Sequence, residues 1–182
     1  MTLRRLAMTD AAAIAAYRAD PNVARYQSWE TYSLAQAEEL CRSQAAEVFG
    51  RPGSWFQLAI VRAGDDTLIG DCGLHFAADD PQQIEIGVTL SPSQQGRGLA
   101  SEAVARILDL SFLTLNLHRV TARTDADNTK AAALFERLGF RREGLFRSCA
   151  MFKGVWCDEL SFAMLEQEWR SNPSAGSAVI NA

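Results

Sequence analysis

The sequence predicts an α+β protein, with one mixed, mostly antiparallel sheet of about seven strands and helices on both faces. Three observations predict it. The chain has 182 residues, which at ~150 residues per domain is close to one domain. Its residues are 48% hydrophobic and 22% charged, the balance of a soluble chain with a real core rather than of a disordered one. The apolar pattern also switches between period 2 and period 3.6 along the chain. The order is strand, two helices, three strands, helix, strand, helix, two strands, so hairpins mix with strand–helix–strand units.

Each element has a local reason. Residues 2–7 read as a short strand, and Thr9 is the expected N-cap of a first helix that Asp20-Pro21 ends. Ser33 and Gln36 fit a capping box, and Leu34, Ala37, Cys41, Ala45 and Val48 have the spacing of one buried helix face. Gly50 to Gly53, with Pro52, closes that helix. Trp55 to Arg62 and Thr67 to Phe76 form a hairpin about Gly64-Asp65-Asp66. Asp79-Asp80-Pro81 turns the chain into Ile84 to Leu90, where Ile84, Ile86, Val88 and Leu90 point one way and Glu85, Gly87 and Thr89 the other. A helix spans about Ala100 to Leu115, with Val104, Ile107, Leu108, Ser111 and Leu115 on one face. His118 to Thr124 is a β-branched strand. Asn128 opens a short helix with Ala131, Leu134, Phe135 and Leu138 at i, i+3, i+4 and i+7, and Gly139 is its C′ residue. Strands at about 140–152 and 155–165 meet at Lys153-Gly154. The expected domain is 1–170, with a small, polar, disordered tail at 171–182.

Composition excludes several classes of function. The formal net charge is −4, whereas nucleic-acid binding needs a surplus of Lys and Arg, so no nucleic-acid partner is expected. No apolar run approaches the ~20 residues that span a bilayer, and the N-terminus shows no h-region or cleavage site. A cytoplasmic protein with no membrane partner is the expectation. Cys41, Cys72, Cys149 and Cys157 have no paired or zinc-like spacing, and His75 and His118 stand alone, so no metal is expected.

The informative stretch is Ser91 to Glu102, which joins a strand to a helix through Gly96 and Gly98. Such a bend presents consecutive backbone N–H groups at the positive end of a helix dipole, and its glycines let a phosphate approach closely. Arg97 adds a cation there. A dinucleotide fingerprint lacks its third small residue, since Ser101 stands in that region, and it lacks its place on the first strand. The P-loop pattern is absent. A plain loop is the remaining alternative.

The flanks separate these readings. Gln95-Gly96-Arg97-Gly98-Leu99-Ala100 matches the Q/R-x-x-G-x-G/A signature of the GNAT superfamily of acyl-CoA N-acyltransferases. The preceding E-I-G-V-T-L-S-P and the succeeding S-E-A-V are similar to that family too. N-T-K-A-A-A-L-F-E-R-L-G-F from Asn128 resembles its N-x-x-S…E-K-x-G-F helix. Glu143-Gly144, K-G-V-W-C-D-E-L at 153–160 and V-A-R-Y-Q-S-W at 23–29 resemble the branch of ribosomal-protein N-terminal acetyltransferases. The resemblance covers roughly residues 2–170, in order.

The resemblance implies a GNAT fold using acetyl-CoA as co-substrate and no metal. The amides from Gln95 to Ser101, including Gly96, Arg97, Gly98 and Ala100, would hold the pyrophosphate. The edge of the strand from Val88 to Leu90 would pair with the pantetheine arm, and one of its N–H groups would polarise the thioester carbonyl. Asn128 would bond the pantetheine while also capping its helix, and Phe135 would pack beside it while also belonging to the core. Residues 117–147 hold seven basic and four acidic residues, a basic region suited to a polyphosphate.

An alkylamine is mostly protonated at pH 7 and must lose a proton before attack. Glu85 is the candidate general base, weighed against an ordinary outward carboxylate. Many relatives place a tyrosine seven residues after the asparagine and a serine three after it; here these are Phe135 and Ala131. A water, Ser111 or the product ammonium is left to protonate the thiolate. Direct transfer without an acyl-enzyme is expected, since no cysteine has a histidine partner. Tyr26, Trp29 and His75 are candidate acceptor-binding residues, each with structural packing as its alternative. The expected acceptor is a protein N-terminal α-amine. A small-molecule amine and a non-catalytic acyl-CoA-binding module are the alternatives, and a homodimer stays open.

Overall fold

The computed structural model describes residues 1–176. In chain order the elements are β1 (Thr2–Arg5), a 3-10 turn at Met8–Asp10, α1 (Ala11–Arg18), α2 (Pro21–Ala24), α3 (Leu34–Ala46), β2 (Trp55–Val61), β3 (Leu68–Phe76) and β4 (Gln83–Leu90). Then come a 3-10 turn at Pro92–Gln94, α4 (Leu99–Asp109), β5 (Arg119–Asp125), α5 (Thr129–Arg137), β6 (Arg141–Phe152), β7 (Val155–Leu165) and α6 (Glu166–Arg170). Among the described residues seven strands form one sheet in the order β1-β2-β3-β4-β5-β7-β6. Every neighbouring pair is antiparallel except β4 and β5. The α+β expectation and the mixed sheet are both realised.

Alternation along the strands divides the core. Leu58 and Ile60 of β2 face the larger cluster, with Leu74, Ile84, Ile86 and Val120 beneath Val104, Ile107 and Leu108 of α4 and Leu134 and Phe135 of α5. Ala59 and Val61, one residue out of phase, face a second cluster with Ile14 and Tyr17 of α1 and Ala37 and Cys41 of α3.

Several local expectations change. The first helix is entered through Asp10, not Thr9: the Asp10 carboxylate accepts the Ala7 N–H at 2.8 Å and is ion-paired to Arg4. The Ser33–Gln36 capping box forms, yet only Ala37 and Cys41 of the expected stripe are buried. Leu34 and Val48 are 50% and 63% exposed, because α3 covers the sheet with its middle turns only. The long helix after the glycine bend changes to a wider π turn at Leu110–Thr114. Residues 171–176, within the expected tail, dock on the body. There Asn172 Nδ2 donates to the Leu138 carbonyl at 2.9 Å, and the Gly176 N–H donates to Asp109 Oδ1 at 3.0 Å. Residues 177–182 lie outside the described residues.

The pairing of β4 with β5 positions the site. These strands are hydrogen-bonded only where Gln83–Glu85 meets Arg119–Thr121. Past that point β4 continues to Leu90 and β5 to Asp125 without pairing to each other, so the sheet opens between them.

Candidate active site

The opening is a cleft of about 840 Å³. Its floor is set by register. Cross-strand rows run Trp55–His75–Glu85, Gln57–Gly73–Gly87 and Ala59–Asp71–Thr89 over β2, β3 and β4. Gly87, Val88 and Thr89 line one side, and Arg123, Thr124 and Asp125 of β5 line the other. A Cβ built on Gly87 would meet nothing within 4 Å, so this glycine leaves open room on the cleft face.

At the end of β4 the Gln95 side chain donates to the Leu90 carbonyl at 3.1 Å, folding the glycine bend back onto the strand. Gly96 and Gly98 adopt φ of +74° and +79°, the left-handed region that glycine enters without strain. Gly98 is the N-cap of α4, so the N–H groups of Leu99, Ala100 and Ser101 have no partner within the helix. Cβ atoms at either glycine would meet nothing within 4 Å. The bend is thus an open row of donors at a helix N-terminus. No residue from Gln95 to Ser101 is among the cleft walls, which on the β4 side end at Thr89. Arg97 and Leu99 line a separate pocket of about 240 Å³ with Met1, Arg62 and Gln94.

Across the opening, Asn128 caps α5 by accepting the Ala131 N–H on its Oδ1 at 3.2 Å, and it lines the cleft. Phe135 combines core and cleft roles: it is buried against Phe140 and Phe162, with ring centroids 5.2 and 5.6 Å away, and it also lines the cleft. Leu90 is buried in the core, and only its backbone belongs to the bend. Ser111 is fully buried and donates to the Ile107 carbonyl at 2.6 Å, outside the cleft, which removes it as a proton donor to a leaving group.

The opposite wall comes from α1, α2 and the chain after them. Tyr26 and Trp29 both line the cleft. The Tyr26 hydroxyl donates to the Asp127 carbonyl at 3.1 Å, and Lys153 Nζ, in the β6–β7 turn, donates to the Ala24 carbonyl at 2.8 Å. These two bonds tie the wall to the far half of the sheet. Trp29 Nε1 donates to the Arg18 carbonyl at 3.0 Å. The Arg18 guanidinium stacks over Trp29 and Tyr32, 4.7 and 5.0 Å from their centroids, and pairs with buried Asp71 at 2.6 Å. Tyr17 also donates its hydroxyl to Asp71. Burial, reinforced by the Asp71 charge, pushes the Tyr17 phenol well above its ordinary range. Burial opposes the Arg18 charge, but Asp71, with the Tyr17 and Tyr32 oxygens, outweighs it and holds the guanidinium protonated.

Glu85 and His75 are not among the cleft walls. Glu85 shares a face with Gly87, two residues short of it; its carboxylate is half-buried, 3.8 Å from Arg123 Nε. His75 packs against Trp55, with ring centroids 5.1 Å apart, and Trp55 is the one that faces the cleft. Sequence reasoning did not single out Arg18, Gln57, Asp71 or Lys153. Asp71 had a legible signal, a lone carboxylate in the apolar run Leu68–Phe76; Arg18 and Lys153 had none, because their partners are 53 and 129 residues away.

All four cysteine thiols are pushed up, by burial first in each case and then by a neighbouring carboxylate, so none is poised as a thiolate nucleophile. Among the described residues no group of three or more His, Cys, Asp or Glu side chains is placed to hold a metal ion, and no helix is long and apolar enough to cross a membrane.

A splayed pair of parallel strands beside a glycine bend and a helix N-terminus has a counterpart among known proteins. The family model described as an acetyltransferase (GNAT) domain matches residues 1–141. The chain belongs to the GNAT acetyltransferase family. It is 31% identical over 170 residues to the uncharacterized N-acetyltransferase p20 of Bacillus licheniformis, covering 93% of this chain and 94% of that one. It is 30% identical over 105 residues to the putative ribosomal N-acetyltransferase YdaF of Bacillus subtilis, covering 58% of this chain and 57% of that one. Among solved structures it is similar to the spermidine N-acetyltransferase of Vibrio cholerae in complex with CoA and spermine. That similarity has a TM-score of 0.78 at 27% identity and covers 92% of this chain and 96% of that chain.

This GNAT protein is an acyl-CoA-dependent N-acetyltransferase, and GNAT enzymes take acetyl-CoA as donor. The residues present suit that donor. The unpaired edge of β4 offers ladder bonds to an extended arm, and the free amides at Leu99–Ser101 offer bonds to a pyrophosphate.

Proposed function

We propose that this chain transfers an acetyl group directly to a primary amine, the α-amine of a protein or peptide N-terminus, in the cytoplasm. The observation that carries this reading is the charge balance of the cleft. Arg18, Arg25, Arg123 and Lys153 line it together with Asp71, Asp125, Asp127 and Glu159, and Asp71 is already neutralised by Arg18. A polycation needs a surplus of acid. A peptide N-terminus has one ammonium and then neutral groups, and it suits a long, balanced cleft walled by Tyr26, Trp29 and Trp55.

Bound acetyl-CoA supplies an activated acyl carbon. The amides of Gln95 to Ser101 hold its pyrophosphate, the β4 edge at Val88–Leu90 aligns its arm, and Asn128 and Phe135 close the other side. A β4 N–H polarises the carbonyl. Glu85, reaching the cleft through one water, takes the proton from the ammonium, with Arg123 Nε 3.8 Å from its carboxylate. With Phe135 where many relatives have tyrosine, the ammonium formed in the reaction protonates the thiolate. A thiol is a good enough leaving group at neutral pH for that to suffice, its ordinary pKa being about 8.5.

A small polyamine is the second reading. The likeness to a spermidine N-acetyltransferase favours it, as do the carboxylates Asp125 and Glu159, which stand opposite each other in the β5–β7 ladder. Release of free thiol from acetyl-CoA decides between them. Turnover with a free peptide N-terminus, and none with the same peptide blocked, supports the first. Preferential turnover of spermidine supports the second. Tight CoA binding with no turnover on any amine overturns both in favour of a binding module.

A further inference from the structure

Among the described residues three buried side-chain atoms meet no hydrogen-bond partner: Arg18 Nε, Gln57 Oε1 and Asp109 Oδ2. Asp109 sits under α6, where its other oxygen accepts from Trp169 Nε1 and the Gly176 N–H. Arg18 and Gln57 instead line the same cleft, on the side built by α1, β2 and β3. Buried polar atoms are nearly always paired, so two orphans in one cleft call for a ligand group.

Their chemistry says which group. Arg18 Nε is a donor and Gln57 Oε1 an acceptor. The Arg18 fork is held: Nη2 donates to Asp71 Oδ2 at 2.6 Å, Nη1 donates to the Tyr32 hydroxyl at 3.2 Å, and the side chain is only 7% exposed. Gln57 lies beside Gly73 in the β2–β3 ladder, and a Cβ on Gly73 would come within 2.9 Å of Gln57 Nε2. The glycine therefore leaves the room that the Gln57 amide and the Trp55 ring take up. A second ammonium would meet the Arg18 cation, with Asp71 already committed to that cation. A neutral amide needs one donor and one acceptor. Its carbonyl oxygen accepts and its N–H donates, so one such group offers a partner to each orphan.

We infer that this part of the cleft is a subsite for the first peptide group of the acceptor, with Arg18 Nε donating to its carbonyl and Gln57 Oε1 accepting from its N–H. The inference rests on the N-terminal reading and specifies the group next to the attacked amine: a peptide bond rather than a second amine.

The test compares an alanyl-alanine amide with propylamine, which carries an amine and no amide group. Gln57→Leu is expected to raise the KM for the dipeptide amide roughly five- to tenfold. The KM for propylamine, the KM for acetyl-CoA and kcat stay as in the unaltered protein. Arg18→Lys, which keeps the charge beside Asp71 and loses the Nε donor, is expected to show the same selectivity; where it does not fold, Gln57→Leu alone decides. An equal change for both acceptors, or no change for either, overturns the subsite. If the unaltered protein acetylates neither acceptor, the N-terminal reading fails by itself. Calorimetry of the dipeptide amide against the CoA-saturated protein then judges the subsite. Binding weakened by Gln57→Leu supports it, and absent or equal binding overturns it.

Discussion

Trp55 packs directly over Gly73: a Cβ on that glycine would lie 2.9 Å from Trp55 Cε3 and 3.0 Å from Cζ3. The register places the two residues on neighbouring strands one row apart, so the indole covers a spot that any other residue would fill. Trp55 is 43% exposed and has room to swing outward. Gly73→Ala is therefore expected to cost only about 1 kcal/mol, or ~2–4 °C in Tm. It should raise the acceptor KM severalfold by pushing the indole into the cleft. Tryptophan fluorescence and steady-state kinetics check this; an unmoved KM with a shifted emission would show that Trp55 has no part in acceptor binding.

The donor side is tested by two glycines that differ in backbone. Gly87 lies in a strand with open space above it, so Gly87→Val should fold as well as the unaltered chain and lose CoA affinity tenfold or more by filling the gap. Gly98 has φ +79°, so Gly98→Glu carries a backbone cost of ~1 kcal/mol and also sets a negative charge where a pyrophosphate would lie. Calorimetry with coenzyme A should find no binding. Undiminished affinity in both variants would move the donor out of this cleft.

Glu85→Gln is expected to lower kcat by ~10²-fold with CoA affinity unchanged. A free α-amine has a pKa of about 7.7–8.0, so the neutral form becomes dominant on its own above that range and the difference should narrow toward pH 9. If the pH–rate profile of the variant overlays that of the unaltered enzyme, the base lies elsewhere. Asp125 and Glu159, at the cleft wall, are then the next carboxylates to replace.

Acid stability has a specific contributor. Arg119 and Arg141 hold Glu143 down from 4.5 to about 2, and Arg141 also pairs with Glu168, so the cluster ties β5, β6 and the start of α6 together. A carboxylate with a depressed folded-state pKa stabilises the fold above its unfolded pKa and loses that contribution as pH falls through the folded value. Thermal melts of Glu143→Gln should therefore lie below those of the unaltered protein at neutral pH and converge with them between pH 4.5 and about 2. The gap should be small, because the cluster is solvent-screened.

Much of the fold was legible because it is local. The alternation at Ile84–Leu90, the Ser33–Gln36 box and the Asn128 cap each need only a few neighbouring residues, and each is found where it was expected. What was not legible depends on distance or on size. Leu34 and Val48 repeat with helical spacing, but Leu34 opens α3 and Val48 lies two residues past its end, and both are exposed. Asn172 has a polar neighbourhood in sequence, yet it is held by a carbonyl 34 residues away. The glycine bend was legible through its spacing, and Gly96 and Gly98 turn there in the left-handed region. The Arg18–Asp71 pair, drawn from a helix and a strand 53 residues apart, was not legible.

The short seam between β4 and β5 also governs mechanics. Three rungs of hydrogen bonds join a four-stranded plate, β1 to β4, to a three-stranded plate, β5 to β7, while the apolar layer under α4 and α5 runs beneath both. Above the seam, two clasps span the gap: Tyr26 on the Asp127 carbonyl and Lys153 on the Ala24 carbonyl. Anything lodged between the plates works as a wedge and a rivet together. Occupancy should therefore stiffen the whole sheet and slow amide exchange along the unpaired stretch of β4, far beyond the atoms it touches.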